Sequence, residues 1–145
     1  MKHVFISYKR NDRSFALEIE NRLIDAGFDT WTDNALRAGE NWRDGIDEAI
    51  HNAFAIVVLI TPEARKSEYI TYEWAFAMGL GIPIVPVVLV QTKLHPKLEP
   101  LHYINFTDRG GEPWDELITR LNQMQDETYR PAIVVSRQAS AAVKN

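Results

Sequence analysis

Apolar residues fall in two alternating patterns along this chain, short unbroken runs and spaced stripes. Val4-Phe5-Ile6-Ser7-Tyr8 is β-branched and aromatic and breaks at the polar segment Lys9–Arg13, which predicts a short buried strand followed by a loop. Phe15, Ile19, Leu23 and Ala26 then recur at spacings of four, four and three, a helical stripe with Asn11 or Asp12 placed to cap it and Gly27 placed to close it. Phe28–Thr32 predicts a second, shorter strand, and Asp33–Asn41, with Gly39, a polar loop. Trp42, Ile46, Ala49 and Ile50 share one helical face. Ala53–Ile60 is apolar throughout, as a central strand covered on both sides must be, and it stops at Thr61-Pro62.

The second half repeats the alternation. After a polar segment, Ser67 is placed to cap a helix whose stripe is Ile70, Trp74, Ala77 and Met78, ending at Gly79 and Gly81. Ile82–Val90 predicts a strand, and Pro83 and Pro86 place it near the sheet edge, where a missing N–H is tolerated. Tyr103–Phe106 predicts the last strand, and Pro113 opens a helix with Trp114, Leu117, Ile118, Leu121 and Met124 on one side. Strand and helix alternating through short connections imply an α/β fold: a flavodoxin-like, doubly wound, five-stranded parallel sheet of order 2-1-3-4-5 with helices on both faces.

Composition narrows the function classes. At 145 residues and 46% hydrophobic the chain is long enough for a real core, and with no cysteine it holds no disulfide, thiol nucleophile or thiolate metal site. All 20 acids and 13 of the 16 basic residues precede Thr128, so the body carries −7 and residues 128–145 carry +3. A body of that charge is a poor ligand for phosphate backbones, and no nucleic-acid partner is expected. From about Thr128 both acids and periodicity cease, and Ser136–Lys144 is small and polar. We therefore expect a domain over 1–127 and a linker or tail over 128–145, although Ala132-Ile133-Val134-Val135 has the composition to pack somewhere. The apolar runs are too short for a signal-peptide core or a membrane span, and a soluble, cytoplasmic domain is expected.

In a doubly wound sheet, ligands bind beyond the carboxyl ends of the strands. Those ends are Ser7-Tyr8, Thr32-Asp33 and Thr61-Pro62. The segment after the first strand, Tyr8-Lys9-Arg10-Asn11-Asp12-Arg13, lacks the glycines of a dinucleotide-binding turn, and there is no P-loop. The third strand ends in Ile60-Thr61 where a phosphoacceptor domain needs an aspartate, and no nucleophile elbow is present. His3, His51, His95 and His102 have no metal-ligand spacing, and no metal is expected. One constellation is left, Ser67-Glu68-Tyr69-Ile70-Thr71-Tyr72-Glu73, in which Tyr69 and Glu73 lie one helical turn apart on a face rotated from the Ile70–Trp74 stripe. Spacing alone admits a ligand seat but favours an exposed acid on an amphipathic helix.

Taken in order, these segments resemble the Toll/interleukin receptor (TIR) domain family over residues 1 to about 127. Val4–Tyr8 with Asp12 behind it is similar to the family's first-strand box, Gly27-Phe28-x-x-Trp31-x-Asp33 to its second strand, and Asp33–Trp42, with Leu36 and Gly39, to its long loop before the second helix. Ala49-Ile50 followed by Ile56–Ile60 resembles its third strand, and Ser67-x-Tyr69-Ile70-x-x-Glu73 the pattern in which a Trp precedes a Glu by four residues. Tyr69 stands where the family commonly has Trp.

The resemblance implies one of two functions. Many bacterial and plant members cleave NAD⁺ at the nicotinamide–ribose bond with the Glu of that motif, whereas many animal members only assemble with other TIR domains. Glu73 favours the NAD⁺ glycohydrolase, with NAD⁺ as substrate and no cofactor, acting as a self-assembling defence or signalling effector. Its expected site is Glu73 as the catalytic group, with Tyr69 beside the ribose or nicotinamide and Tyr8, Arg10, Asp33 and Leu36 lining the pocket. Trp42 is read as core. The Asp33–Trp42 loop is the expected contact with a neighbouring copy, and the basic end the expected link to a sensor module. The alternatives are a non-catalytic TIR–TIR interaction module and, third, a nucleoside deoxyribosyltransferase-like enzyme.

Overall fold

A computed structural model describes residues 2–33 and 42–126, with the side chain of Trp42 excepted. The expectations for Leu36 and Gly39, for the packing of Trp42 and for the tail over 128–145 lie outside the described residues. The strands are β1 (His3–Ser7), β2 (Thr30–Trp31), β3 (Ala53–Ile60), β4 (Ile84–Val88) and β5 (Ile104–Asn105). The helices are α1 (Arg13–Asp25), α2 (Trp42–His51), α3 (Pro62–Lys66), α4 (Glu68–Gly79) and α5 (Trp114–Gln125), with a short 3-10 turn at Arg10–Asp12. The sheet is parallel throughout, in the order β2-β1-β3-β4-β5.

Alternation along β3 divides the core. Ala55, Val57 and Leu59 face Phe15, Ile19 and Leu23 of α1 and Leu117 and Leu121 of α5, while Ile56, Val58 and Ile60 face Ile46 and Ile50 of α2 and Ile70, Trp74 and Ala77 of α4. Leu94, Leu98 and Leu101, between β4 and β5, close the second layer. Because β3 is sandwiched between these layers, all its residues except Phe54 are buried.

Two local expectations are corrected. Ala26 is exposed rather than part of the α1 stripe, because the helix ends at Asp25 and the chain turns away through Gly27 at φ +97°. Asp12 occupies the N-cap position of α1 without a side-chain bond to that helix, and Asn11 falls within the preceding 3-10 turn. Burial, then the charge of Glu63, raises the Asp12 carboxyl against a bond from Thr61, and Asp12 Oδ2 is buried without a partner among the described residues. Strand β4 lies between β3 and the edge strand β5, near the sheet edge as its two prolines suggest. Leu89 N–H donates to Ile60 on the β3 side and Val88 C=O accepts from Phe106 on the β5 side. Pro86 shares the parity of Val88, so its missing N–H faces β5's side, where β5 begins only at Ile104 opposite Val87. The polar segment after Thr61 also forms a helix, α3, capped by Thr61 accepting from Ala64 N–H at 3.1 Å.

Candidate functional site

Among the described residues, the buried polar ones, Ser7, Thr32 and Thr61, stand at the carboxyl ends of the first three strands. Packing leaves the rest of the sheet interior apolar, so the polar chemistry of the fold gathers at this rim. Helix α4 starts beside it. Ser67 accepts from Ile70 N–H at 3.2 Å and fixes the first turn, and the buried stripe Ile70–Trp74–Ala77 sets the helix's rotation. That rotation leaves Tyr69 60% exposed and turns Glu73, one turn on, toward β1.

The Ser7 hydroxyl donates to Glu73 Oε1 at 2.5 Å, across 66 residues of sequence. Burial pushes the half-buried Glu73 carboxyl up to about 7; the Ser7 bond opposes the shift, and the charge of Asp33 adds to it. A carboxyl in this range is divided between its acid and base forms near neutrality.

Two clefts meet at Glu73. The larger, about 470 Å³, is lined on one side by Tyr8, Lys9, Arg10 and Asp33 and on the other by Ser67, Tyr69 and Glu73. Tyr8 donates its hydroxyl to Asp33 Oδ1 at 3.1 Å; burial first and Asp33 second push the phenol up to about 12, which keeps it neutral. The smaller cleft, about 360 Å³, is lined by Arg43, Ile46, Glu68, Tyr69, Tyr72 and Glu73. There the Arg43 guanidinium lies 5.0 Å above the Tyr72 ring, and Tyr72 donates to Asp47 at 2.8 Å.

Of the residues singled out from sequence, Glu73, Tyr69, Tyr8, Arg10 and Asp33 converge on one cleft, and Leu36 lies outside the described residues. Sequence reasoning did not assign Ser7, Lys9 or Ser67 to the site. The available signal was positional: Ser7 is the polar residue ending a buried strand, and Ser67 the cap of the helix that carries Glu73. Among the described residues no group of acidic or imidazole side chains is placed to hold a metal ion, and no helix is long and apolar enough to cross a membrane.

The TIR domain model matches residues 4–121. The chain belongs to the TIR domain family. Among curated proteins, it is 27% identical to the y4lF protein of Sinorhizobium fredii, covering 97% of this chain and 47% of that one. It is 28% identical to the stimulator of interferon genes protein of Magallana gigas, covering 86% of this chain and 32% of that protein. This TIR domain therefore spans less than half the length of either relative. The metazoan TIR–STING receptor of C. gigas, solved with 2′,3′-cGAMP, superposes with a TM-score of 0.70 at 28% identity over 82% of this chain and 39% of that one. A Toll-related receptor TIR domain of Hydra magnipapillata superposes at 0.74 with 21% identity, covering 87% of this chain and 100% of that one, a likeness of fold. A 2-deoxyribosyltransferase of Bacillus psychrosaccharolyticus shares the fold alone, at a TM-score of 0.61 and 14% identity over 80% of this chain and 90% of that one.

Proposed function

We propose that this TIR domain is an NAD⁺ glycohydrolase that cleaves the nicotinamide–ribose bond. The observation that carries the reading is Glu73: an acid drawn into a cleft, held by a hydroxyl instead of a cation, one turn from an exposed aromatic ring. An acid serving only solubility sits in water or against a Lys or Arg. Half-burial of a carboxylate costs free energy, and its presence at a strand-end cleft supports a chemical use.

The bond suits a single carboxylate. Nicotinamide leaves C1′ of the ribose as a neutral molecule carrying the bonding electron pair, so no general acid is needed. Positive charge then builds on the ribose ring, where the Glu73 carboxylate stabilises it. Water attacks C1′ and its proton passes to Glu73 or to solvent, giving ADP-ribose; attack by an adenine nitrogen instead gives a cyclic isomer. Arg10 and Lys9 line the cleft where the diphosphate would lie, and Tyr69 offers its face to the ribose or nicotinamide. The reading includes assembly into an effector through residues 33–42, with residues 128–145 joining this domain to a sensor module.

The test is nicotinamide release from NAD⁺ by the wild type and by Glu73→Ala, each free and held clustered on a scaffold. Release by the wild type in either state, and none by the variant, is the expected result. No release from the clustered wild type leaves a TIR–TIR docking module. Base release from deoxynucleosides in place of NAD⁺ points to deoxyribosyl transfer.

A further inference from the structure

The Ser7–Glu73 contact joins the end of β1 to the second turn of α4. Ser7 is 1% exposed, and its hydroxyl is spent on Glu73 Oε1. A buried serine at the end of a central strand has simpler partners available in neighbouring backbone carbonyls, so a bond to a carboxylate on another element is a specific use of the side chain. We propose that Ser7 is a positioning residue: its hydroxyl fixes Oε1 of Glu73 and holds the carboxylate in its charged form, leaving Oε2 to meet the ribose.

The proposal rests on the glycohydrolase reading for its chemical purpose and on geometry for its mechanism. A hydroxyl can donate to a carboxylate, and the bond is stronger when the acceptor carries charge. The other charged and titratable groups around Glu73 leave this role open. From the loop after β1 come Tyr8, whose hydroxyl is committed to Asp33, and Lys9 and Arg10, which line the cleft opposite. Asp33, after β2, opposes the charge on Glu73. On α2, Arg43 covers Tyr72 and Asp47 accepts from it; on α4 itself, Glu68 and Tyr69 line the clefts beside Glu73. Of the groups acting on Glu73 among the described residues, Ser7 alone favours the charged carboxylate.

The experiment is a carbon-detected titration of the Glu73 side-chain carboxyl in the full chain, run on wild type, Ser7→Ala and Ser7→Thr, with NAD⁺ turnover measured against pH for each. With the donor gone, the Ser7→Ala carboxyl is expected to titrate about one unit higher. The acid limb of its pH–rate profile moves up by the same amount, so turnover at pH 7 falls about five-fold and recovers in alkali. Ser7→Thr, which keeps the hydroxyl, titrates as the wild type does. The carboxyl readout needs no substrate, so the two readings fail separately. A shifted carboxyl with no NAD⁺ turnover in any protein upholds the hold of Ser7 on Glu73 and removes the glycohydrolase. An unshifted carboxyl in Ser7→Ala overturns the proposal whatever the turnover, as does a rate loss equal at every pH.

Discussion

Helices α4 and α5 each have 12 residues and pack on opposite faces of the same sheet, yet the first-turn aromatic and one acid of each are placed in opposite ways. The first-turn aromatic of α5, Trp114, is enclosed: Phe15 stacks at 6.0 Å, Phe106 meets it edge-on at 5.0 Å, and the Arg22 guanidinium lies 4.4 Å above it. The aromatic of α4's first turn, Tyr69, is 60% exposed. On α5 the acid Glu116 faces outward and pairs with Arg120 at 3.1 Å, one turn on. On α4 the acid Glu73 turns inward to a neutral hydroxyl. Helix α5 places each group where stability alone would put it, and α4 reverses both choices in adjoining turns. That reversal sets α4 apart from α5 at the cleft.

The largest expected effect is on catalysis. Glu73→Gln keeps the shape and removes the charge, and NAD⁺ turnover is expected to drop by about 10³-fold or more, whereas Glu116→Gln leaves it unchanged. Comparable losses from the two variants would break the distinction between the helices. Next come the aromatics. Trp114→Ala empties a packed site and is expected to cost about 3 kcal/mol in denaturant unfolding, while Tyr69→Ala changes stability by about 0.5 kcal/mol or less and lowers turnover.

A third effect is the dependence of stability on pH. The Glu73 carboxyl titrates at about 7 in the fold against 4.5 for the unperturbed group, so the folded state holds the proton more tightly than the unfolded state. Its contribution to folding therefore declines as pH rises from 4.5 toward 7, by about 3 kcal/mol in total. Thermal melts of the wild type and Glu73→Gln should accordingly diverge across that window, the variant being the more stable at pH 8; parallel curves would sink the claim that burial controls this carboxyl. The smallest effect is expected from Asp33→Asn. Removing the like charge lets Glu73 ionise more readily, so the acid limb of turnover moves to lower pH, opposite to Ser7→Ala.

Much of this was legible in residue order. The β3 run Ala53–Ile60, the Ser67 cap and the Ile70–Trp74–Ala77 stripe are local patterns, and each forms the element it predicts. So is the pairing of Tyr69 with Glu73, which follows from four residues making about one turn. Short-range signals failed where a neighbour distant in sequence decided the outcome. Asp12 has the chemistry of a cap but faces Thr61 and Glu63, just beyond β3.

The sequence by itself determined the alternation of strands and helices, the strand order that this alternation favours, and which face of α4 carries an acid beside an aromatic ring. These depend on the periodicity of apolar residues, a property of neighbours along the chain. Only the tertiary structure decided that Glu73 turns inward, that Ser7 is its donor, and that Tyr8, Arg10 and Asp33 share its cleft. The reason is that desolvation and hydrogen bonding of a side chain are sums over whatever surrounds it. Those surroundings come from β1, the end of β2 and α2, segments that periodicity describes one at a time and only folding brings together.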